Sequence, residues 1–148
     1  MPDRIHLTVA TVVEKDERFL MVKETKFGRQ VINQPAGHVE PGEDILQAAV
    51  RETLEETGWD VSISGFLGIS THYSKSNGVT YYRLSFIAEA TNFNTGYLID
   101  SDIDCALWMS YGEIEAEKHR LRSEMVLGCI EDYRAGRIFP LEIFRNEL

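Results

Sequence analysis

One segment of the chain, residues 37–59, constrains the fold most, because it predicts a single helix with two chemically different faces. The segment reads GHVEPGEDILQAAVRETLEETGW. Its apolar residues recur at helical spacing: Ile45, Leu46, Ala49, Val50 and Leu54. Glu43 and Asp44 are expected to place acids in the first turn, and Gly58 falls where a left-handed residue ends a helix. One face of this helix must therefore pack against a core.

The other face carries three glutamates, Glu52, Glu55 and Glu56. Offsets of three and four residues confine their carboxylates to an arc of about 100°, so we expect them to converge beside the helix. Like charges at these spacings repel, and the helix dipole disfavours anions near the C-terminal end. The alternative is a solvated acidic face. A bound cation would offset both penalties, and ligands that are all oxygen suit Mg²⁺ or Mn²⁺.

The residues around the glutamates follow a specific spacing. The fixed positions are Gly37, Glu43, Arg51, Glu52, Glu55, Glu56 and Gly58, followed by the bulky Trp59. This pattern resembles the Nudix box, the defining motif of the Nudix hydrolase family, at every charged and glycine position. Thr53 is a softer match, since the family prefers an apolar residue there. The resemblance implies that Arg51 and Glu43 orient the site by pairing.

A carboxylate–Mg²⁺ centre acts on phosphates by bridging anionic oxygens, neutralising developing charge and lowering the pKa of a bound water. The expected reaction is hydrolysis of a phosphoanhydride by in-line attack of water on phosphorus. We assign Glu52 and Glu56 as metal ligands, and Glu55 as a ligand of a second ion or a group that orients water. The family resemblance also implies a backbone carbonyl ligand at Ala36 or Gly37.

The general base is predicted less directly. In several Nudix enzymes it is an acid on the loop six residues before a tryptophan that opens the next strand, and Asp102 holds that position ahead of Trp108. Asp100 and Asp104 lie nearby. The alternatives are that these aspartates form a solvated turn, or that Glu55 is the base.

Resemblance extends beyond the box to shorter motifs along most of the chain. They are NQPAGH at 33–38, DSDIDC at 100–105, LRS at 121–123 and DYRAGRIFPLE at 132–142. These look like the NudJ-type phosphatases, which release orthophosphate from nucleoside tri- and diphosphates, thiamin diphosphate and hydroxymethylpyrimidine diphosphate. The resemblance makes Gln34, His38, Arg83 and Arg122 candidate substrate contacts. Trp59, Tyr73 and Tyr81 are either surfaces on which a base or pyrimidine stacks or core residues, and the core is the commoner position for aromatics of strands.

Two other functions remain open at this point. The same fold serves pyrophosphohydrolases, which split a nucleoside triphosphate to a monophosphate and diphosphate or cleave ADP-ribose. A Nudix domain that only senses nucleotides is the third possibility. The intact set of glutamates argues against it, because a binding module has no need of three clustered carboxylates.

The rest of the chain predicts strands alternating with helices. We expect strands near 5–13, 19–25, 31–34, 61–73, 79–91 and 104–109. Ser110 and Glu113 form an S-x-x-E capping box for a short helix, and a last helix ends at Gly136. This order predicts an α/β layered fold, with Arg83 pointing away from the face that carries Leu84 and Phe86. The family resemblance implies an α/β/α sandwich around a mixed, partly barrel-like sheet.

Composition narrows the remaining possibilities. With 148 residues, 43% of them hydrophobic, the chain is expected to form a single domain over residues 1–148. No apolar run suits a membrane span and no leader peptide is evident, which predicts a cytoplasmic protein without membrane contact. The net charge of −9 opposes binding to nucleic acid polymers but not to a small phosphorylated substrate. Cys105 and Cys129 are expected to be buried thiols, and a monomer and a homodimer are both compatible with the sequence.

Overall fold

The computed structural model describes residues 4–146. The strands are β1 (Ile5–Lys15), β2 (Arg18–Lys26), β3 (Arg29–Asn33), β4 (Ala36–His38), β5 (Trp59–Ser74), β6 (Val79–Phe93) and β7 (Ile103–Ser110). The helices are α1 (Ile45–Thr57), α2 (Tyr111–Ala116) and α3 (Glu124–Arg134). Short 3₁₀ turns follow at Lys118–Arg120 and Leu141–Ile143.

The strands form a mixed sheet. Its main path runs β3-β2-β1-β6-β5, while β4 pairs with β1 and β7 pairs with β2. β1 and β6 are parallel, and the other pairs are antiparallel. The predicted α/β class and mixed sheet are therefore confirmed. The sheet is not closed into a barrel, because β3 and β5 end its main path without pairing to each other.

Helices α1 and α3 cover opposite faces of the sheet, since successive side chains of a strand point to opposite sides. On one face Val9 packs with Ala48 and Ala49 of α1. On the other face Val12 packs with Val126 and Ile130 of α3. The result is the expected α/β/α arrangement.

Helix α1 differs from its prediction at its start and on its buried face. Asp44 is the N-cap, its carboxylate accepting a 3.1 Å hydrogen bond from the Gln47 amide, so Glu43 and Asp44 precede the first turn. The fully buried positions on the apolar side are small: Ala48, Ala49 and Thr53. The predicted stripe of Leu46, Val50 and Leu54 is only half-buried. Small residues let the helix lie close to the sheet, and Thr53 Oγ1 is 2.8 Å from Thr11 Oγ1.

The predicted helix caps are present, whereas Tyr73 does not lie in the core but is 58% exposed. The capping box of Ser110 and Glu113 is present at α2, and Gly58 ends α1 with a left-handed φ of 78°. Strand β4 was not predicted, because three residues beside Pro35 are too few to show a period-two pattern. Cys129 is buried as expected, but Cys105, on β7, is exposed. Within residues 4–146, no helix combines the length and apolar character that crossing a membrane requires.

Candidate active site

The acidic side of α1 lies against β4. Glu56 is buried, and its Oε1 accepts a 2.9 Å hydrogen bond from the Ala36 amide. Glu52 approaches Gly37 so closely that a Cβ at Gly37 would overlap its carboxylate. A glycine at this position therefore lets the strand and the carboxylate share the same space.

Arg51 connects the acids around it. Its Nε donates to Glu43 Oε2 at 2.6 Å and its Nη2 to Glu43 Oε1 at 2.9 Å, which makes the predicted pair bidentate. Its Nη1 donates to Glu52 at 2.8 Å and to Glu55 at 3.2 Å, and Nη2 also reaches the His38 carbonyl at 3.0 Å. Arg51 thus joins the loop before α1 to two of the three glutamates.

The electrostatics of the glutamates follow from burial and from one another. Burial raises the pKa of Glu56 to about 8, against the Ala36 hydrogen bond, and the charges of Glu52, Glu24 and Asp100 raise it further. Burial also raises the pKa of Glu52, although Arg51 opposes this. Burial and the neighbouring negative charges therefore disfavour the ionised form of Glu56.

The three glutamates do not converge as expected. Within residues 4–146, no three His, Cys, Asp or Glu side chains are grouped so as to hold a metal ion. Glu52 and Glu55 turn towards Arg51, whereas Glu56 turns towards Ala36. A shared helical arc fixes where side chains start, but their rotamers follow the nearest donors.

Asp100 is closer to the glutamates than the predicted base Asp102. The Asp100 amide donates a 2.8 Å hydrogen bond to the Glu55 carbonyl, and its charge raises the pKa of both Glu52 and Glu56. Asp102 is exposed, and no hydrogen bond or ion pair in the described part of the chain ties it to a glutamate. Asp104 instead accepts from Thr25 and Gln30. The structure thus brings Asp100 to the acidic site, and leaves Asp102 as an untested prediction.

A basic cluster lies on the α3 side of the sheet. Gln34 is buried, donates to the Val126 carbonyl at 2.6 Å, and accepts from Arg83 Nη2 at 2.6 Å. Arg83 faces away from Leu84, as predicted. Burial lowers its pKa, and within residues 4–146 it has no carboxylate in ion-pair range and its Nε has no hydrogen-bond partner.

Arg122 links this basic cluster to the acidic one. Arg122 Nη1 lies 2.8 Å from Oε1 of the buried Glu24. The charge of Glu24 contributes to the raised pKa of Glu56. The charge of Arg122 contributes to the lowered pKa of Arg83. A sequence signal for Glu24 exists, because Glu24 continues the alternation of Leu20 and Val22 and so places a charge on the buried side of β2. Sequence reasoning missed it.

His38 lies on β4 rather than in a loop. A 3.0 Å hydrogen bond joins its Nε2 to His6 Nδ1, and the two rings meet Tyr81 edge-on or tilted. Burial, and then the charge of His6, lower the pKa of His38. The His38 ring therefore belongs to an aromatic group with His6 and Tyr81, while the His38 carbonyl accepts from Arg51.

Comparison with known proteins places this arrangement in a family. A family model described as the NUDIX domain matches residues 4–127. Phosphatase NudJ of Escherichia coli K12 is 38% identical over 138 residues, covering 93% of this chain and 89% of that protein. The same values hold for Phosphatase NudJ of Shigella flexneri.

Solved structures agree with this assignment. A NUDIX hydrolase from Nitrosomonas europaea is 42% identical, with a TM-score of 0.91 over 95% of this chain and 96% of that one. The Escherichia coli ORF135 protein, 22% identical with a TM-score of 0.70 over 90% and 94%, shares the fold. The chain therefore belongs to the Nudix hydrolase family.

Proposed function

We propose that this enzyme uses a divalent cation to release orthophosphate from organic diphosphates and from nucleoside di- and triphosphates. Thiamin diphosphate and hydroxymethylpyrimidine diphosphate are the organic diphosphates we propose. The observation that carries the proposal is that Glu52, Glu55 and Glu56 all lie on α1 beside β4, the first two hydrogen-bonded to Arg51 and the third to the Ala36 amide; we call these three residues the glutamate cluster. The 38% identity to proteins named Phosphatase NudJ supports orthophosphate as the product.

The donor set fits Mg²⁺, with Mn²⁺ as a substitute. All the candidate ligands are oxygens, which hard divalent cations prefer, and the buried Glu56 carboxylate sits among the negative charges of Glu24, Glu52 and Asp100. A cation there would offset this repulsion. We propose Glu52 and Glu56 as ligands and Glu55 as a ligand or water-orienting group. When bound, the cation supplies charge neutralisation at the phosphates and a more acidic water.

The chain's own residues position the reactants. Arg51 holds Glu52 and Glu55 in place through hydrogen bonds of 2.8 and 3.2 Å, and Glu43 fixes Arg51 from the other side. Asp102 or Glu55 accepts the proton of the attacking water in this proposal. Asp100 is a third candidate because of its contact with Glu55.

Arg83 and Arg122 are proposed to bind the anionic end of the substrate. Arg83 is a half-buried residue whose buried Nε lacks a hydrogen-bond partner within residues 4–146, and Arg122 forms an ion pair with Glu24. Such groups bind phosphate oxygens through short, charge-assisted hydrogen bonds. Gln34 orients Arg83 through its 2.6 Å contact, and His38 is proposed to contact the substrate from β4.

The proposed reaction is a hydrolysis in which one P–O bond forms and one breaks. The water oxygen bonds to the terminal phosphorus, the phosphoanhydride bond to the bridging oxygen breaks, and the water proton passes to the base. The products are orthophosphate and either the monophosphate form of a diphosphate substrate or the nucleoside diphosphate left from a nucleoside triphosphate. Charged oxygens on both products remain near Arg83 and Arg122 until release.

Turnover of a substrate panel tests the proposal. The panel contains thiamin diphosphate, ADP, ATP and ADP-ribose with Mg²⁺, scored for orthophosphate against diphosphate, and repeated in ¹⁸O-water to locate the attacked phosphorus. We expect orthophosphate that carries ¹⁸O. Diphosphate as the main product, or cleavage of ADP-ribose alone, would identify a pyrophosphohydrolase instead. Absence of turnover across the panel would favour a nucleotide sensor.

A further inference from the structure

A second cleft, lined mainly by apolar and aromatic side chains, lies beyond the C-terminal end of α1. It has a volume of about 490 Å³ between β7 and the start of β5. Its walls include Leu20, Trp59, Phe93, Tyr97, Ile99 and Trp108. Neither the glutamate cluster nor the Gln34–Arg83 contact lines it, so the proposed phosphate chemistry does not account for it.

The aromatic side chains of this cleft are only partly buried in the core. Trp59 meets Trp108 edge-on with ring centroids 5.5 Å apart, and Phe93 lies 5.1 Å from Trp59. Phe93 remains 50% exposed and Tyr97 40% exposed at the rim. Aromatic faces left open beside a cavity are the surfaces on which planar rings stack.

The cleft shares two wall residues with another cleft beside Glu55. Tyr97 and Ile99 also line an adjoining cleft of about 510 Å³ that contains Glu55 and Asp100. The 2.8 Å hydrogen bond from the Asp100 amide to the Glu55 carbonyl fixes this loop to α1. Tyr97 and Ile99 therefore form a wall common to the aromatic cleft and the cleft that contains Glu55.

Gly58 lies in the wall of the cleft. Its φ of 78° is a conformation that other residues rarely adopt. A Cβ at this position would lie 3.4 Å from the Phe93 ring and 3.6 Å from Tyr97 Cβ. The left-handed backbone, rather than the space beside these two rim aromatics, therefore favours glycine at this position.

The charged side chains around the two clefts restrict the charge of the ligand that the aromatic cleft would accept. Glu55, Asp100 and Asp104 lie along the two clefts, against the Lys15 ammonium at 4.9 Å from the Trp59 ring centroid. This balance disfavours an anionic ring and suits a neutral or cationic one.

We propose that the aromatic cleft binds the planar heteroaromatic group of the substrate, a neutral or cationic ring whose phosphates lie at the glutamate cluster. The inference rests on the proposed function for the position of the phosphates. It assigns Trp59, Phe93, Tyr97 and Trp108 as the residues that select substrates carrying a ring over those that lack one.

Intrinsic fluorescence gives a direct test, since both tryptophans of the chain line the cleft. Thiamin monophosphate, which has rings but no phosphoanhydride, is titrated into the protein with Mg²⁺, and inorganic phosphate is the ringless control. We expect saturable quenching by thiamin monophosphate and none by inorganic phosphate. Equal responses to the two compounds, or no response to either, would overturn the inference.

Rim variants test selectivity. Phe93→Leu and Tyr97→Leu should each raise the Kd for thiamin monophosphate and the KM for thiamin diphosphate about ten-fold, because stacking is lost. Tyr97→Phe keeps the ring and should behave like the wild type. Hydrolysis of methyl diphosphate, which has no ring, should keep its KM in every variant. Tyr73→Leu, which removes an exposed aromatic on β5 outside the cleft, is the matched control.

The two proposals fail in different ways. Quenching without turnover of any diphosphate would refute the proposed function and leave the ring site supported. Normal turnover with the same KM for thiamin diphosphate in wild type and both leucine variants would refute the ring site alone. An equal rise of KM for methyl diphosphate would also refute it, by showing a general effect on the site.

Discussion

At the scale of single residues, Arg51 makes most of the hydrogen bonds that fix the acidic side chains in place. Its guanidinium donates to Glu43, Glu52 and Glu55 and to one backbone carbonyl. The guanidinium has five N–H donors in a rigid fork, so one side chain can hold several acids in a fixed relation. An ammonium group has neither the reach nor the planar geometry to replace all of these contacts.

Arg51→Lys should therefore lower the free energy of unfolding by about 1–2 kcal/mol, since it breaks a partly buried bidentate pair. Urea unfolding measures this. Arg18→Lys is the matched control, because Arg18 makes one 3.0 Å contact to Glu113 with both side chains about half exposed, and should change stability by less than about 0.5 kcal/mol. Equal losses in the two variants would contradict the special role of Arg51.

The ion pair also predicts a pH dependence. The hydrogen bond from Arg51 holds the pKa of Glu43 below its ordinary value of 4.5. A carboxyl whose pKa is lowered in the folded state contributes its full share to the free energy of unfolding above pH 4.5. That contribution is lost as the pH falls through the folded-state pKa. The stability advantage of wild type over Glu43→Gln should thus be constant near neutral pH and shrink in acid. Urea titrations between about pH 3 and 7 measure it, and an advantage independent of pH would contradict the assignment.

Glu56→Gln should abolish most activity and leave the fold intact. The amide retains an oxygen that can accept from the Ala36 amide, but it removes the charge proposed to bind the cation. We expect kcat/KM with Mg²⁺ to fall by about 100-fold or more, with an unchanged or higher unfolding midpoint. Glu142→Gln, at an exposed position, is the control. Normal turnover by Glu56→Gln would show that the metal assignment is wrong.

At the scale of elements, the site depends on how closely β4 and α1 approach. Ala48 and Ala49 pack α1 on the sheet, and Gly37 then lies directly against Glu52. Only the combination of small helix residues and a glycine in the strand permits this distance. The same glycine that matched a motif in the sequence therefore has a steric function in the structure.

Gly37→Ala should displace the Glu52 carboxylate, because the new Cβ would occupy its place. The backbone of Gly37 has no positive φ, and the displaced group is the end of a flexible side chain, so the fold should persist. We expect activity to fall about ten-fold or more, by analogy with the loss of groups that orient ligands. Gly128→Ala in α3, where a Cβ contacts nothing within 4 Å, should keep activity and gain about 0.5–1 kcal/mol of stability. Full activity of Gly37→Ala would contradict the steric argument.

At the scale of the whole molecule, the candidate site combines segments far apart in sequence. Glu24 comes from β2, Glu56 from α1 and Arg122 from the segment before α3, yet one network of charge connects them. Loss of any one layer would therefore remove part of the site. This arrangement favours a single cooperative unit.

We expect residues 1–148 to unfold in one transition. Tryptophan fluorescence reports on the cleft between β5 and β7, and far-UV circular dichroism reports on all the helices and strands. In a two-state unfolding the two signals should give the same urea midpoint and slope. Two separated transitions would show that the chain contains independently folding units.

Local chemistry made the glutamate helix predictable. The period of 3.6 residues, the left-handed stop at Gly58 and the capping box of Ser110 depend on residues within one or two turns. The strands of β1 and β6 were predictable for the same reason, since alternation is a local pattern. The short β4 was not, because its only evidence is its pairing with β1.

The sequence by itself therefore determined the family, the α/β class and the acids of α1, all of which depend on spacing along the chain. Tertiary structure decided which of those acids are buried. It also decided that Glu52 and Glu55 accept hydrogen bonds from Arg51 instead of converging with Glu56 on one point. The loop that carries Asp100 contacts Glu55 for the same reason. Tertiary structure also decided the Glu24–Arg122 pair, whose members are 98 residues apart, and the cleft at Trp59 and Trp108. Burial and long-range contacts arise only when the layers pack, and no local pattern encodes their distances.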